Sequence, residues 1–275
     1  STIQSKLKTS RGDEVLSINS LNFLQRNSTI MAVDMSIEVG SISSNGTLKI
    51  IDSEYIPFGN SRDYNYTKNF DFTVYSNSDI IFDNVTFFFH GRAETTYYDM
   101  YLNTTGSIYF YNSTNLTANY FRDSELELIA SEIALNNGTY IFIGTRNTYE
   151  YDSINVDSDI IFDTNTLTIY NSTVIVDSQQ TGTYEHSYQR KGYSDLVIES
   201  NDLEIYNGSI IVQALNNGEH TGDYQKSFTN LEIDVDNFTV FDSLIKSDLK
   251  TSRGEEKLDF SPDYGYFSNT TFSHR

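Results

Sequence analysis

The sequence predicts an all-β protein: one parallel β-helix through residues 1–275, a single-stranded solenoid of about eight coils, each of three short strands with a long loop after the third. Three observations predict it. Apolar residues recur seven apart in sets of three, an Asn or Asp stands three residues before the third strand of most coils, and the composition is that of strands and turns. The chain holds 21 Tyr and 18 Phe beside abundant Ile, Thr, Asn, Ser and Asp, with only two Pro. β-Branched and aromatic residues suit a pleated, half-buried surface, and no helical periodicity is sustained anywhere.

From the N-terminus, a third-strand position at Ile3 precedes the first full set, Leu16, Phe23 and Ile30. Leu48 and Tyr55 keep the spacing, although the residue seven earlier is Ser41. Ile80 leads to Phe87, and Tyr101 leads to Ile108 with Asn115 in third place, an Asn that this register turns into the core. Four regular sets follow: Leu126, Ile133, Tyr140; Ile160, Leu167, Val174; Leu196, Leu203, Ile210; and Leu231, Phe238, Ile245. The segments read apolar-x-apolar, which puts both apolar side chains on one face of a strand. A lone coil cannot bury that face, whereas stacked coils share a continuous core. Eight coils at roughly 4.8 Å per strand make a rod about 40 Å long.

The turn before the third strand carries its own regularity. Asn27, Asn84, Asn112, Asn137, Asn171 and Asn207 occupy it, with Asp52 and Asp242 in the other two coils. Asn and Asp tolerate the left-handed conformation of a sharp turn and bond neighbouring backbone. Stacked at one corner, they form a turn ladder.

Three short strands per coil with an asparagine ladder at a tight turn resembles the right-handed parallel β-helix of pectate-lyase-like proteins and phage tailspikes. The Asn-, Ser-, Thr- and Ile-rich style also resembles β-helical adhesin-like and sheath-like surface proteins of archaea. The resemblance covers nearly the whole chain and implies architecture. It transfers no active site, because one fold hosts many functions, and the Asp set with catalytic Arg of β-helical lyases is not recognisable.

Composition narrows the function classes. The net charge is −20, from 38 acids and 18 bases, which argues against nucleic acid, since phosphate binding needs clustered cations. No stretch approaches the roughly 18 apolar residues of a membrane span. There is no Cys, hence no disulfide framework or thiolate metal site. No basic-then-apolar leader precedes the first strand, so an export signal is expected to have been removed or to lie outside this sequence.

The loops after the third strand, at 5–15, 57–69, 90–99, 119–125, 144–153, 178–195, 214–229 and 247–263, hold 14 of the 18 Lys and Arg and 11 of the 21 Tyr. Tyr and Arg are enriched at protein contacts. Arg62, Tyr64, Tyr66, Tyr97, Tyr98, Arg146, Tyr149, Tyr188, Arg190, Tyr193 and Tyr224 therefore form a candidate contact face for a second subunit or a glycan. The remaining faces are strongly acidic.

Asn-x-Ser/Thr occurs twelve times. Asn27, Asn45, Asn65, Asn84, Asn103, Asn137, Asn171, Asn207, Asn237 and Asn269 are candidate glycan acceptors in an exported chain. Several coincide with the turn ladder, where Asn followed by Gly, Ser or Thr is turn chemistry in any case. Arg11-Gly12-Asp13 reads as a turn, because its counterpart Arg253-Gly254-Glu255 breaks the adhesion tripeptide. Asp157, Asp159 and Asp163, or Asp234 and Asp236, are candidate calcium ligands through hard oxygens; against that, alternating acids on a strand ordinarily form a solvated face. No other cofactor is expected. Paired carboxylates arise by chance among 38 acids, and the four His are scattered, so no catalytic residue is assigned.

Residues 1–14 (STIQSKLKTSRGDE) and 243–256 (SLIKSDLKTSRGEE) share ten of fourteen identities at an offset of 242, and Leu16/Leu258, Asn27/Asn269 and Thr29/Thr271 continue the match. Neither end carries a capping helix, and unprotected strand edges recruit further strands. The sequence thus predicts a structural or adhesive subunit of an extracellular surface polymer such as a sheath, fibre, filament or S-layer-like array. The rival expectation is a carbohydrate-binding or carbohydrate-cleaving β-helix.

Overall fold

The computed structural model describes residues 2–4, 15–20, 23–32, 34–39, 42–51, 68–90, 96–147, 155–180, 190–216, 225–249 and 254–273. Among them there is no helix, and every strand pairing is parallel. The register ladders resolve into nine rungs, each with one in-register residue per face, apolar in every case but Gly265. These are Leu16/Phe23/Ile30, Met35/Ile42/Leu48, Phe72/Ile80/Phe87, Met100/Ile108/Leu116, Leu126/Ile133/Ile141, Ile160/Leu167/Val174, Leu196/Leu203/Ile210, Leu231/Phe238/Ile245 and Leu258/Gly265/Phe272, here rungs 1 to 9. The predicted β-helix solenoid is therefore the observed fold, with one more turn than expected.

The interior follows from alternation. In rungs 3 to 8 all eighteen of these residues are buried, and the residue two further along each strand usually joins them, as Leu128, Phe162 and Ile198 do on the first face. Aromatic side chains fill the N-terminal part of the core: Phe87 packs edge-on against Phe72 (5.9 Å) and Phe82 (4.8 Å), and Phe82 lies 5.1 Å from Phe110. Aliphatic side chains predominate in rungs 5 to 7, Phe162 apart, and aromatic rings return at the C-terminal end, where Phe238 lies 5.2 Å from Phe267. Like residues stacked at strand spacing interdigitate, which gives the core its lengthwise continuity.

Each corner has its own chemistry. At the first, long strands such as Asp123–Asn136, Val156–Tyr170 and Arg190–Tyr206 bend without breaking. Hydroxyls inside the bend donate to backbone: Ser76 Oγ to Ser78 O (2.7 Å), Thr104 Oγ1 to Ser78 O (2.6 Å) and Ser200 Oγ to Asp202 O (2.8 Å). At the second corner the turn ladder stands as predicted. Asn84, Asn112, Asn137, Asn171, Asn207, Asp242 and also Asn269 are left-handed, with φ between 48° and 55°. The N–H groups of Asn84, Asn137, Asn171, Asn207 and Asp242 donate to carbonyls of the next rung at 2.9–3.1 Å. Asp52 lies outside the described residues. Asn27 is no turn residue: it sits within strand Phe23–Ala32, where the register shifts between Arg26 and Ser28.

Three expected third-strand positions are corrected. Leu116 and Ile141, not Asn115 and Tyr140, pair with Phe87 and Val174. The cause is a second left-handed residue in two turns, Ser113 (φ 62°) after Asn112 and Gly138 (φ 84°) after Asn137, which delays the strand by one place. Asn115 is consequently half-exposed, accepting a hydrogen bond from Thr117 Oγ1 at 2.8 Å. In rung 2 the third-face residue is Leu48; Tyr55 lies outside the described residues. Met100 rather than Tyr101 leads rung 4, because Tyr98, Met100 and Leu102 alternate inward.

The loops after the third strand are shorter than expected. Strands Thr173–Gln180 and Ser209–Asn216 run on beyond the core, and Arg190–Tyr206 and Gln225–Phe241 begin early. Between these extensions runs a buried hydroxyl column: Thr145 with Ser158 (2.8 Å), Ser194 with Ser178 (2.9 Å) and Thr229 with Ser247 (2.9 Å). Polar groups paired to one another let the third corner stay dry without an apolar filling.

Candidate functional site

The outer surface of the first face is where the structure concentrates titratable chemistry. Outward residues alternate with the buried Val156, Ser158, Ile160 and Phe162, so Asp157 and Asp159 project together from strand Val156–Tyr170. Parallel pairing then sets like beside like. Asp157 stands in register with Asp123 on one side and Tyr193 on the other; Asp159 stands between Glu125 and Asp195. One carboxylate is thus ringed by Asp157, Glu125 and Asp195, with Asp123 diagonally across.

Carboxylate oxygens of Asp157, Asp159 and Asp195 lie within 4.8 Å of one another. Oδ1 of Asp157 and of Asp159 is buried and meets no hydrogen-bond partner. Burial first, then the charges of Asp157, Asp195, Asp123 and Glu125, push the Asp159 carboxyl up to about 9. Burial, Asp123 and Asp195 push Asp157 up to about 7. Burial alone raises Asp195, and burial with Glu125 raises Asp123 against the opposing pull of Arg122. Two like charges at this range cannot both ionise freely, so Asp159 holds a proton at neutral pH and hydrogen-bonds Asp157.

Cations stand at the margin. The Arg122 guanidinium lies 5.7 Å over the Tyr97 ring, Lys191 lies 5.9 Å over Phe228, and Lys257 pairs with Glu232 at 3.1 Å. Oxygen ligands at this spacing suit a hard divalent cation, and among the described residues Asp157, Asp159 and Asp195 are the group that can hold one. Of the acids singled out in the sequence, Asp163 is exposed four residues along the strand, and Asp234 and Asp236 are exposed on strand Gln225–Phe241. Asp195 joins the group only through the fold, from 36 residues away.

The predicted contact face is largely redrawn. Tyr98 is fully buried in the core and leaves that face. Tyr97 is half-exposed beneath Arg122, and Tyr193 stacks on Phe228 at 4.9 Å and 10°. Arg146 and Arg190 lie on strands, at the ends of the third-corner extensions. Arg62, Tyr64, Tyr66, Tyr149, Tyr188 and Tyr224 lie outside the described residues, as does Arg11-Gly12-Asp13. A further aromatic column, Tyr170, Tyr206 and Phe241, flanks the turn ladder, with Tyr206 and Phe241 stacked at 5.3 Å and 8°. Stacked rings cover one another's faces, the surfaces with which an aromatic ring grips a sugar.

Among the candidate acceptors, Asn84, Asn137, Asn171, Asn207 and Asn269 are exposed at the turn, and Asn237 is exposed on a strand. Asn207 Nδ2 donates to Asn171 Oδ1 (3.0 Å), Asn237 Nδ2 to Asp202 Oδ1 (2.8 Å), and Asn103 Nδ2 to Tyr101 OH (2.7 Å). Asn27 and Asn45 lie on strands; Asn65 lies outside the described residues. Compared with family models, curated proteins and solved structures, the chain matches none.

Proposed function

We infer that this chain is a structural subunit of an extracellular surface assembly, a rod that extends lengthwise by stacking. The observation that carries this reading is translational. Rung 9 repeats rung 1 at one constant offset, 242 residues, on all three faces: Leu16 to Leu258, Phe23 to Gly265, Ile30 to Phe272. A solenoid whose sequence returns to its own start after a whole number of rungs has the symmetry of a filament segment.

Two surface features agree with it. The acidic first face and the net charge of −20 keep rods apart side by side. The row of sequons along one corner is suited to an exported, glycan-coated surface. Among the described residues no helix is long and apolar enough to cross a membrane.

Electron microscopy of the protein from its native source tests the reading. Filaments or sheets with an axial period support it; a uniform population of short, separate rods overturns it.

A further inference from the structure

The three faces of the rod do not share its charge. Outward from the first face stand Asp123, Glu125, Asp157, Asp159 and Asp195, and outward from the second Asp83, Glu132, Asp202 and Glu204. The third face differs. Its outward positions form two ladders through rungs 4 to 8: Asn115, Tyr140, Thr173, Ser209, Leu244, and beside it Thr117, Phe142, Ile175, Ile211, Lys246. In a chain with a net charge of −20, neither ladder contains an acid. All ten residues alternate with buried ones and are themselves half-buried.

Two acids reach the margin of this face. Asp177 and Asp248 are buried there, where Gln179 Nε2 donates to Asp177 at 2.5 Å and Lys246 Nζ pairs with Asp248 at 2.6 Å. Lys246, the one cation of the ladders, is thereby neutralised.

The face is also flat. The Tyr140 and Phe142 rings lie within 4° of parallel, 6.5 Å apart. A Cβ on Gly144 would meet the Phe142 ring at 2.5 Å, so that ring leans along the strand over the glycine.

We propose that the third face is a contact between two copies of this chain, laid side by side about a two-fold axis. Copies that meet on either other face set acid against acid, which disfavours the encounter. Here they meet on aromatic and aliphatic residues without net charge, the composition of an interface centre. A second copy carries the same rows at the same interval, roughly 4.8 Å, so the ridges of one face seat between those of the other. Rungs 3 to 8, taken five residues wide, span roughly 29 by 17 Å. Counted flat over both copies that is about 1,000 Å², the least a specific contact needs, so the pair is weak and reversible. Carbohydrate fits this surface less well, because Phe142, Ile175, Ile211 and Leu244 offer it no side-chain hydrogen bond.

A two-fold contact uses one patch on both partners and closes. The acidic faces then point outward, which stops growth at two rods abreast. The contact is lateral and does not depend on lengthwise stacking.

Small-angle scattering from the purified full chain, over a concentration series, reads mass per unit length separately from length. The parent is expected to approach a doubled mass per unit length as concentration rises, more readily at high salt, which screens the remaining acids. Ile175→Asp, near the middle of the patch, is expected to weaken pairing by about tenfold or more. Ser209→Asp alters a position that is already polar and is expected to weaken pairing without disturbing the fold. Ile161→Asp lies in the same rung as Ile175 but outward on the first face, and is expected to pair like the parent. A constant mass per unit length in the parent overturns the proposal, as does unchanged pairing in both third-face variants or an equal loss in Ile161→Asp. Particles that grow only in length overturn this contact and leave the stacking reading in place.

Discussion

Asp159 lies directly beside Asp195 in the parallel ladder between strands Val156–Tyr170 and Arg190–Tyr206. An acid whose folded pKa is raised binds its proton more tightly when folded, so stability falls as pH rises from the unfolded value near 4 towards about 9. Asp159→Asn removes that penalty. Urea unfolding is expected to show the variant more stable than the parent by on the order of 1–3 kcal/mol at pH 9. The two should be nearly equal at pH 3.5, where both states are protonated. A variant no more stable at high pH would mean that the carboxyls are fully solvated.

The left-handed corner gives a contrast within one site. Asn207 has φ 49°, a conformation that costs ordinary L-residues about 1–2 kcal/mol and Gly nothing. Asn207→Ala is expected to lower stability by about that amount, and Asn207→Gly by well under it. Denaturant midpoints of the two variants decide between this and a role for the side-chain ladder with Asn171, which both would lose alike.

Neighbouring tyrosines separate core from surface. Tyr98→Ala empties a fully buried position and is expected to cost about 3–5 kcal/mol, whereas the half-exposed Tyr97→Ala costs less than about 1 kcal/mol. Thermal or urea unfolding of the pair checks the register of the whole first face.

Gly106 tests the first corner of rung 4. A Cβ there would sit 2.8 Å from the Ser78 carbonyl carbon and 2.9 Å from the Asp79 nitrogen, both backbone atoms. Gly106→Ala is expected to destabilise by about 1–3 kcal/mol, the usual range for overpacking. Gly138→Ala meets no atom closer than 3.4 Å; its cost comes from φ 84° alone.

The rhythm of Leu196, Leu203 and Ile210 was legible because both linking segments have standard length, and so was the corner Asn that makes the turn. What misled was length variation at that corner. Counting seven from Ile108 lands on Asn115, although the alternation of Leu116 with Ala118, both buried, pointed to the correct phase. Tyr98 was likewise readable from its period-two relation to Met100 and Leu102, but its tyrosine neighbour Tyr97 suggested a surface cluster. The acid group was legible only in part. Asp157 and Asp159 share a strand, whereas Asp195 arrives through the length of a coil, which no local pattern encodes, and the proton sharing follows from that arrival.

The doubled turns Asn112–Ser113 and Asn137–Gly138 leave the strands on either side packed as they are at the single-residue corners. A codon gained or lost at this edge therefore alters only the outline of the cross-section. Replication slippage in so repetitive a gene would be tolerated at the edges and eliminated on the flat sides. Related rods should differ in girth and in the spacing of their corner asparagines while keeping the same interior.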